Sequence, residues 1–241
     1  MSNYLTKEQL YSYIHQYKRR LGLDYNEYGF NMIQLCKQKG VMLEQLAFKT
    51  KHLRGMASIG DTPDDDVILL NSRRNEVEQN FDCGHEYVHL CIHRNLDKKI
   101  FNCIDAVYVK QDEYIEWQAN EGAAEMLIPY KEFLNLVKNG PFNINDPFGI
   151  ACLKDFAAEL FNVTNKVIEC RLESLKYEIY QYLNGTSLND IKMLSLAQQK
   201  RQKINILSLN DKERIMHKRM MYQLESKVIN FNNSYIKDWL K

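Results

Sequence analysis

The sequence predicts an α+β protein in which a few short strands lie between helical segments. Short apolar runs typical of strands are confined mainly to the region between residues 41 and 70. On both sides of that region, apolar residues recur at the three- and four-residue spacing of helices. Beyond Lys176 the composition becomes more basic, which indicates a helical extension attached to a main domain.

The N-terminal half is expected to contain three helices and three strands. Thr6 and Gln9 have the spacing of a capping box, so a first helix should begin there. A second helix is predicted over residues 28–37, ending at Gly40. The predicted strands cover residues 41–48, 55–60 and 67–70. From Ser72 onward the apolar period becomes helical again.

The rest of the main domain is predicted to be mostly helical. Residues 104–109 could form one more strand. Asp112 can cap a helix that ends at Pro129. Residues 153–160 and 165–175 form a helix pair joined by a short turn, which resembles a helix-turn-helix unit.

A change in charge separates the C-terminal region from the rest. Residues 176–241 hold 12 Lys and Arg against 6 Asp and Glu, which leaves residues 1–175 net acidic. We therefore predict a main domain over residues 1–176 and a basic α-helical extension over 177–241. Ser187 and Asn210 are the expected N-caps of two long helices in it. The extension is either a solvated surface that enlarges the core or an arm that docks a partner or covers the acidic domain.

The composition excludes several classes of protein. A net charge of +1 is not that of a uniformly basic nucleic-acid coat. The N-terminus lacks the apolar core of a signal peptide, and no window approaches a membrane span. The six cysteines form no Cys-x-x-Cys pair, so a cysteine-based zinc ribbon is not expected. We expect a soluble, cytoplasmic protein with reduced thiols.

The motif with the clearest chemistry is His-Glu-x-x-His at residues 85–89. On a helix, residues four apart lie one turn above each other, so His85 and His89 can hold one metal ion. Glu86 lies one residue round the helix and can act as a general base toward water. Two neutral imidazoles favour Zn²⁺, and a catalytic site needs one more protein ligand. The bare motif also arises by chance on amphipathic helices, so the third ligand decides between the two interpretations.

Glu116 is the best candidate for that third ligand. It shares a helix face with Asn120 and with small residues, which allow this helix to approach another closely. Asn120 is placed to orient a ligating imidazole. His93 is eight residues beyond His85, a rotation of about 80° on a straight helix, so it should not bind the same ion. We interpret His93 as a packing residue or one near the ligands or the substrate.

These residues resemble the ImmA/IrrE family of zinc metallopeptidases. The resemblance rests on the motif at 85–89, on Glu116 to Asn120, and on Ala123 to Pro129, and it covers roughly residues 5–176. One departure is that Glu121 and Gly122 stand where members usually have an aromatic residue. The resemblance implies a zincin-like, minimal metallopeptidase core with a small sheet beside the active helix. It also implies a role in phage or mobile-element regulation, in which members cleave or otherwise inactivate helix-turn-helix repressors.

The resulting hypothesis is a zinc-dependent endopeptidase with one Zn²⁺ per chain, held by His85, His89 and Glu116, that cleaves a repressor and so acts as an anti-repressor. Two alternatives remain open. The zinc site could serve a regulatory protein that binds a repressor without cutting it. The helix pair at 153–175 could instead read DNA, although Glu169 and Glu173 would oppose the phosphates. Direct nucleic-acid binding is therefore not expected.

Overall fold

The structure, a computed structural model, describes residues 5–50, 52–104 and 112–239, with side chains described as far as residue 225. The elements of the N-terminal half are α1 (Lys7–Arg20), α2 (Met32–Gln38), β1 (Met42–Leu46), β2 (Leu53–Ser58), β3 (Val67–Asn71), α3 (Glu76–Ile92) and β4 (Ile100–Ile104). Those of the C-terminal half are α4 (Glu113–Leu127), α5 (Tyr130–Asn139), α6 (Pro147–Leu160), α7 (Asn165–Ser174), α8 (Lys176–Leu183), α9 (Leu196–Arg201) and α10 (Leu209–Trp239). This order confirms the predicted α+β class.

The four strands form one mixed sheet in the order β1-β3-β2-β4. β1 is parallel to β3, whereas β2 is antiparallel to both β3 and β4. Ala57, Ile68, Leu70 and Phe101 are fully buried on this sheet. α3 packs against β2, β3 and β4, and α4 packs against α3, so α3 lies in the middle of the domain.

Several element boundaries follow the predicted caps. Thr6 forms the expected capping box with Gln9 at the start of α1, and Asp112 caps α4. α2 begins four residues later than predicted, because Asn31 accepts a hydrogen bond from Gln34 N and fixes the start there. The strand predicted over 104–109 falls, apart from Ile104, outside the described residues. The observed strand β4 shares Ile104 with that prediction.

Of the two long helices predicted for the extension, the structure has the second but not the first. Ser187 caps no helix, because its hydroxyl donates to Asp190 within a turn, 2.6 Å away. A short helix begins only after Ser195, which forms a capping box with Gln198. The long helix α10 begins at Leu209, just before the predicted cap.

The region after residue 176 contains both buried and exposed side chains. Glu178 of α8 is fully buried and pairs with Lys7 of α1 at 3.0 Å. In α10, by contrast, Ile215 and Leu224 are exposed, although their helical spacing predicted packing. The predicted division after residue 176 therefore crosses a packed helix, and the division itself stays a prediction. Within the described residues, no helix is long and apolar enough to cross a membrane.

Candidate metal centre

The His-Glu-x-x-His motif lies in the middle of α3, within the core. The helix starts at a capping box in which Asn75 Oδ1 accepts from Glu78 N at 2.8 Å. Ten residues further on, His85, Glu86 and His89 are fully buried between the sheet and α4. The local sequence therefore places the motif where water is scarce and electrostatic interactions are strong.

α4 brings the third predicted ligand to the motif. Its small residues Ala119 and Ala123 are fully buried and let the helix approach α3. Gly84 of α3 contributes little to the close approach of the two helices. A methyl group there would lie 3.5 Å from Leu127 and 3.6 Å from Ala123, which is ordinary contact.

His85, His89 and Glu116 converge on one point. The two Nε2 atoms lie 3.1 Å apart, and Glu116 approaches His85 Nε2 at 3.4 Å and His89 Nε2 at 3.9 Å. A tetrahedral ion with bonds of about 2.0–2.2 Å needs ligand atoms about 3.3–3.6 Å apart. The three residues therefore fit a Zn²⁺ ion with only small adjustments.

Asn120 sets the tautomer of His85. Its Oδ1 accepts from His85 Nδ1 at 3.1 Å, and its amide nitrogen donates to the carbonyl of Glu116 at 2.9 Å. The amide orientation and the tautomer follow from this network. With the proton on Nδ1, the lone pair of His85 Nε2 points toward the other two ligands. The structure thus brings Asn120 within hydrogen-bond distance of His85, one of the predicted ligands.

His93 sets the tautomer of His89. It does not itself reach the cluster formed by His85, His89 and Glu116. His93 Nε2 donates to Gln118 Oε1 at 2.9 Å, so its Nδ1 accepts from His89 Nδ1 at 2.8 Å. Burial, reinforced by His85 and His93, lowers the pKa of His89 well below its usual range. Burial also lowers the pKa of His93, against the hydrogen bond to Gln118. Both rings are therefore neutral, and His89 Nε2 has a lone pair free for a metal.

Glu86 lies beside this cluster with both carboxylate oxygens buried and without hydrogen-bond partners among the described residues. Burial raises its pKa well above the usual range, against the opposite effect of His85. Gly55 in β2 makes room for it, since a Cβ at that position would lie 2.7 Å from Glu86 Oε1. Glycine inside a strand is a signal of such a close approach, although sequence reasoning gave Gly55 no part in the site.

Cys103 of β4 is a second neighbour that sequence reasoning missed. Its Sγ lies with a nitrogen of His85 and an oxygen of Glu86 in a group whose atoms are all within 4.8 Å of one another. Burial raises the pKa of the thiol to about 12. Only the register of β4 against β2 brings this residue to the site, and that register is not readable from a short apolar run.

Arg171 of α7 is buried and forms hydrogen bonds within the protein. It donates to Glu121 at 3.0 Å and to the carbonyl of Ile128 at 2.8 Å, and it also pairs with Glu125. It therefore fastens α7 to α4 behind the metal centre. A cleft of about 530 Å³ lies between these helices and α3, lined by Phe81, Trp117, Asn120 and Val167 among others.

The helix pair at 153–175 is formed as predicted by α6 and α7, with Thr164 capping the second helix. α10 packs against both helices. Asn165 donates to Asp155 at 2.6 Å, and Lys166 pairs with Glu169 at 3.3 Å. Both contacts lie on the protein surface, and Lys166 is 80% exposed.

Comparison with known families gives a match. The sequence model described as the IrrE N-terminal-like domain of the M78 peptidases matches residues 36–173, which is more than half of the chain. The matched region includes α3, α4 and all six predicted site residues: His85, Glu86, His89, His93, Glu116 and Asn120. A search of curated proteins found none that matches the chain.

Proposed function

The chain belongs to the IrrE N-terminal-like family of M78 peptidases, and from that premise we propose that its metallopeptidase-type domain is a zinc-dependent endopeptidase. The observation that carries the proposal is the convergence of three Lewis bases. If both Nδ1 atoms carry the protons, as their partners Asn120 and His93 favour, the Nε2 lone pairs of His85 and His89 face each other at 3.1 Å beside Glu116. Such an arrangement is repulsive unless a cation occupies the centre.

Each residue then has a definite task. His85, His89 and Glu116 would hold the ion, and Asn120 and His93 fix the imidazoles through their Nδ1 protons. When bound, zinc supplies a Lewis acid that polarises a carbonyl group and acidifies water. Glu86 accepts the proton of the attacking water and returns it to the leaving amine. Its buried, unpartnered carboxylate suits this task, because no other group of the described protein competes for its oxygens.

We propose a protein substrate, specifically a helix-turn-helix repressor of a phage or mobile element, cleaved in the cytoplasm. The substrate class follows from the resemblance to ImmA/IrrE members. β4 is an edge strand of the sheet and lies beside Glu86. Among the described residues its outer edge pairs with no other strand, so an extended substrate segment could add to it.

The test is to incubate the zinc-loaded protein with a repressor encoded on the same mobile element. Glu86→Gln should retain the metal and lower the cleavage rate by about 10²- to 10⁴-fold, since it removes the general base. Glu113→Gln, which changes an exposed carboxylate at the start of α4, is the matched control. Full cleavage by Glu86→Gln would exclude this mechanism.

The second candidate function is binding of a repressor without cleavage. It is favoured by the complete burial of Glu86, which leaves the base inaccessible in this conformation. The same pair of proteins separates the two functions. Release of the repressor from DNA that is equal for wild type and Glu86→Gln, with the repressor intact, supports binding alone.

A further inference from the structure

A buried thiol adjoins the proposed general base because of the way in which β2 and β4 pair. Cys103 of β4 is opposite Gly55 of β2 in the antiparallel register. Residues opposite each other in such a pair point to the same face of the sheet. Gly55 has no side chain on that face, and the carboxylate of Glu86 fills the space. Cys103 and Glu86 are thereby brought to the same place.

The thiol belongs to a group that could itself bind a cation. Cys103 Sγ, one nitrogen of His85 and one oxygen of Glu86 all lie within 4.8 Å of one another. Cys103 is buried and forms no disulfide. Independently, both oxygens of Glu86 are buried in this group without hydrogen-bond partners. Three buried donor groups of this kind are unusual without a cation or a proton to satisfy them.

This group and the zinc ligands share His85. Cys103 Sγ is within 4.8 Å of a nitrogen of His85 but outside the group that the three zinc ligands form, so it would have to move toward an ion held by them. If Glu86 is the general base, the remaining position of the ion must face Glu86. Cys103 lies on that same side. A thiolate is also a ligand that zinc binds readily, at about 2.3 Å.

We propose that Cys103 is the fourth ligand of the ion in the resting protein and holds the peptidase latent until substrate displaces it. This inference rests on the proposed function and adds a regulatory step to it. On metal binding the S–H bond of Cys103 breaks, a sulfur–metal bond forms, and the proton leaves to solvent, so no oxidant is required. A site with four protein ligands is closed, whereas a catalytic zinc site keeps one position open.

The test uses Co²⁺ as the probe, because a thiolate bound to Co²⁺ gives an intense near-ultraviolet charge-transfer absorption. The wild type loaded with Co²⁺ should show this band, and Cys103→Ala should lack it. Cys36→Ala is the matched control, since Cys36 is a buried cysteine of α2 whose sulfur is near Cys83 rather than the ligands. It should keep the band. Cys103→Ser serves if the alanine variant does not fold.

A second readout is metal affinity. Loss of even an outer partner of a metal ligand weakens binding about 10- to 100-fold, so Cys103→Ala should raise the Kd for Co²⁺ by at least about tenfold. The wild-type spectrum decides the proposal. A fully loaded wild type without the band, or a band that persists in Cys103→Ala, overturns it.

Failure of this inference can be told from failure of the proposed function. If Co²⁺ binds without the band and the repressor is cleaved, the peptidase stands and Cys103 is not a ligand. If the band is present and Cys103→Ala cleaves the repressor faster than wild type, both stand. If no variant cleaves but the band depends on Cys103, the ligand assignment holds while the peptidase function and the latency built on it fail.

Discussion

His93 determines which nitrogen of His89 carries a proton. Its Nε2 donates to Gln118, whose amide nitrogen in turn donates to Tyr114 at 3.1 Å. The direction of this chain leaves His93 Nδ1 as an acceptor. His89 must then carry its proton on Nδ1 and present Nε2 to the metal. His93, whose position on the helix excludes it as a ligand, thus orients the ligand His89.

Replacing His93 by Phe should weaken metal binding about 10- to 100-fold, since it keeps a ring of similar size but removes the acceptor of the His89 proton. The dissociation constant for Zn²⁺, measured by competition with a chromophoric chelator, checks this. His217→Phe changes an exposed histidine of α10 and should have no effect. Equal affinity in His93→Phe and wild type would show that the chain does not orient His89.

The absence of a side chain at Gly55 leaves room for the carboxylate of Glu86. In Gly55→Ala the methyl group would lie 2.7 Å from Glu86 Oε1, so the carboxylate would have to move. We expect the metal to remain bound while the cleavage rate falls toward that of Glu86→Gln. Gly84→Ala is the control, because its methyl group makes ordinary contacts and should stabilise the helix by up to about 1 kcal/mol. The measurement is the metal content and the cleavage rate of Gly55→Ala and Gly84→Ala on the same samples.

At the scale of elements, the departure at Glu121 and Gly122 has a structural explanation. A Cβ at Gly122 would lie 3.0 Å from Val88 of α3 and 3.1 Å from Ile14 of α1. These side chains leave little room for a larger residue at position 122. Glu121, the neighbouring residue, accepts from Tyr11 of α1 at 2.5 Å and from Arg171 of α7. α1, α4 and α7 are thus joined through one buried carboxylate.

The carboxylate of Glu121 should make the free energy of unfolding depend on pH in the acid range. Burial raises the pKa of Glu121, but Lys7 and Arg171 outweigh this effect and hold the pKa below its usual range. A depressed pKa in the folded state means that the stabilisation is complete above about pH 4.5 and is lost as the pH falls through the folded pKa. The unfolding free energy of Glu121→Gln should therefore vary less with pH below about 4.5.

Urea unfolding at several pH values measures this difference. At pH 7, Glu121→Gln should be destabilised by about 3 kcal/mol, since a buried Arg loses one of its charged partners. Glu8→Gln, which removes an exposed carboxylate from α1, is the matched control. Parallel pH profiles for wild type and Glu121→Gln would contradict the assignment.

At the scale of the whole molecule, the sequence predicted what local patterns determine. Thr6 and Asp112 are recognisable as caps because a capping residue acts within three positions of itself. The spacing of His85, Glu86 and His89 depends only on helix geometry. Glu116 needed the further assumption that two helices with small residues on their faces pack together.

What the sequence did not predict depends on tertiary contacts. Cys103 and Gly55 meet Glu86 through strand register, which a run of five residues does not specify. Ser187 looked like a cap, but its neighbour Asp190 offers its hydroxyl a partner within a turn. Ile215 and Leu224 have helical spacing, yet the protein presents no partner surface to them among its described residues.

The division after residue 176 is best tested by two truncations, because α8 and the far part of α10 differ in their contacts. Lys7 is buried and donates to Ser174 O at 2.7 Å and to Glu178 at 3.0 Å. Glu178 also accepts from Leu194 N at 3.0 Å. A chain ending at Lys176 loses Glu178 and leaves the ammonium of Lys7 without its nearest carboxylate, and such losses destabilise by about 3–5 kcal/mol.

A chain ending at Gln223 should unfold at the wild-type temperature. It retains the ion pair between Lys154 and Glu213 at 2.7 Å, which fastens α10 to α6, while Met220, Met221 and Tyr222 near its end are already exposed. Thermal unfolding of both truncated chains and the full chain, each with and without Zn²⁺, is the measurement. Wild-type stability for the chain ending at Lys176 would make residues 1–176 an independent domain. Destabilisation of that chain alone would mean that α8 belongs structurally to the metal-binding domain and that only the outer part of α10 is an appendage.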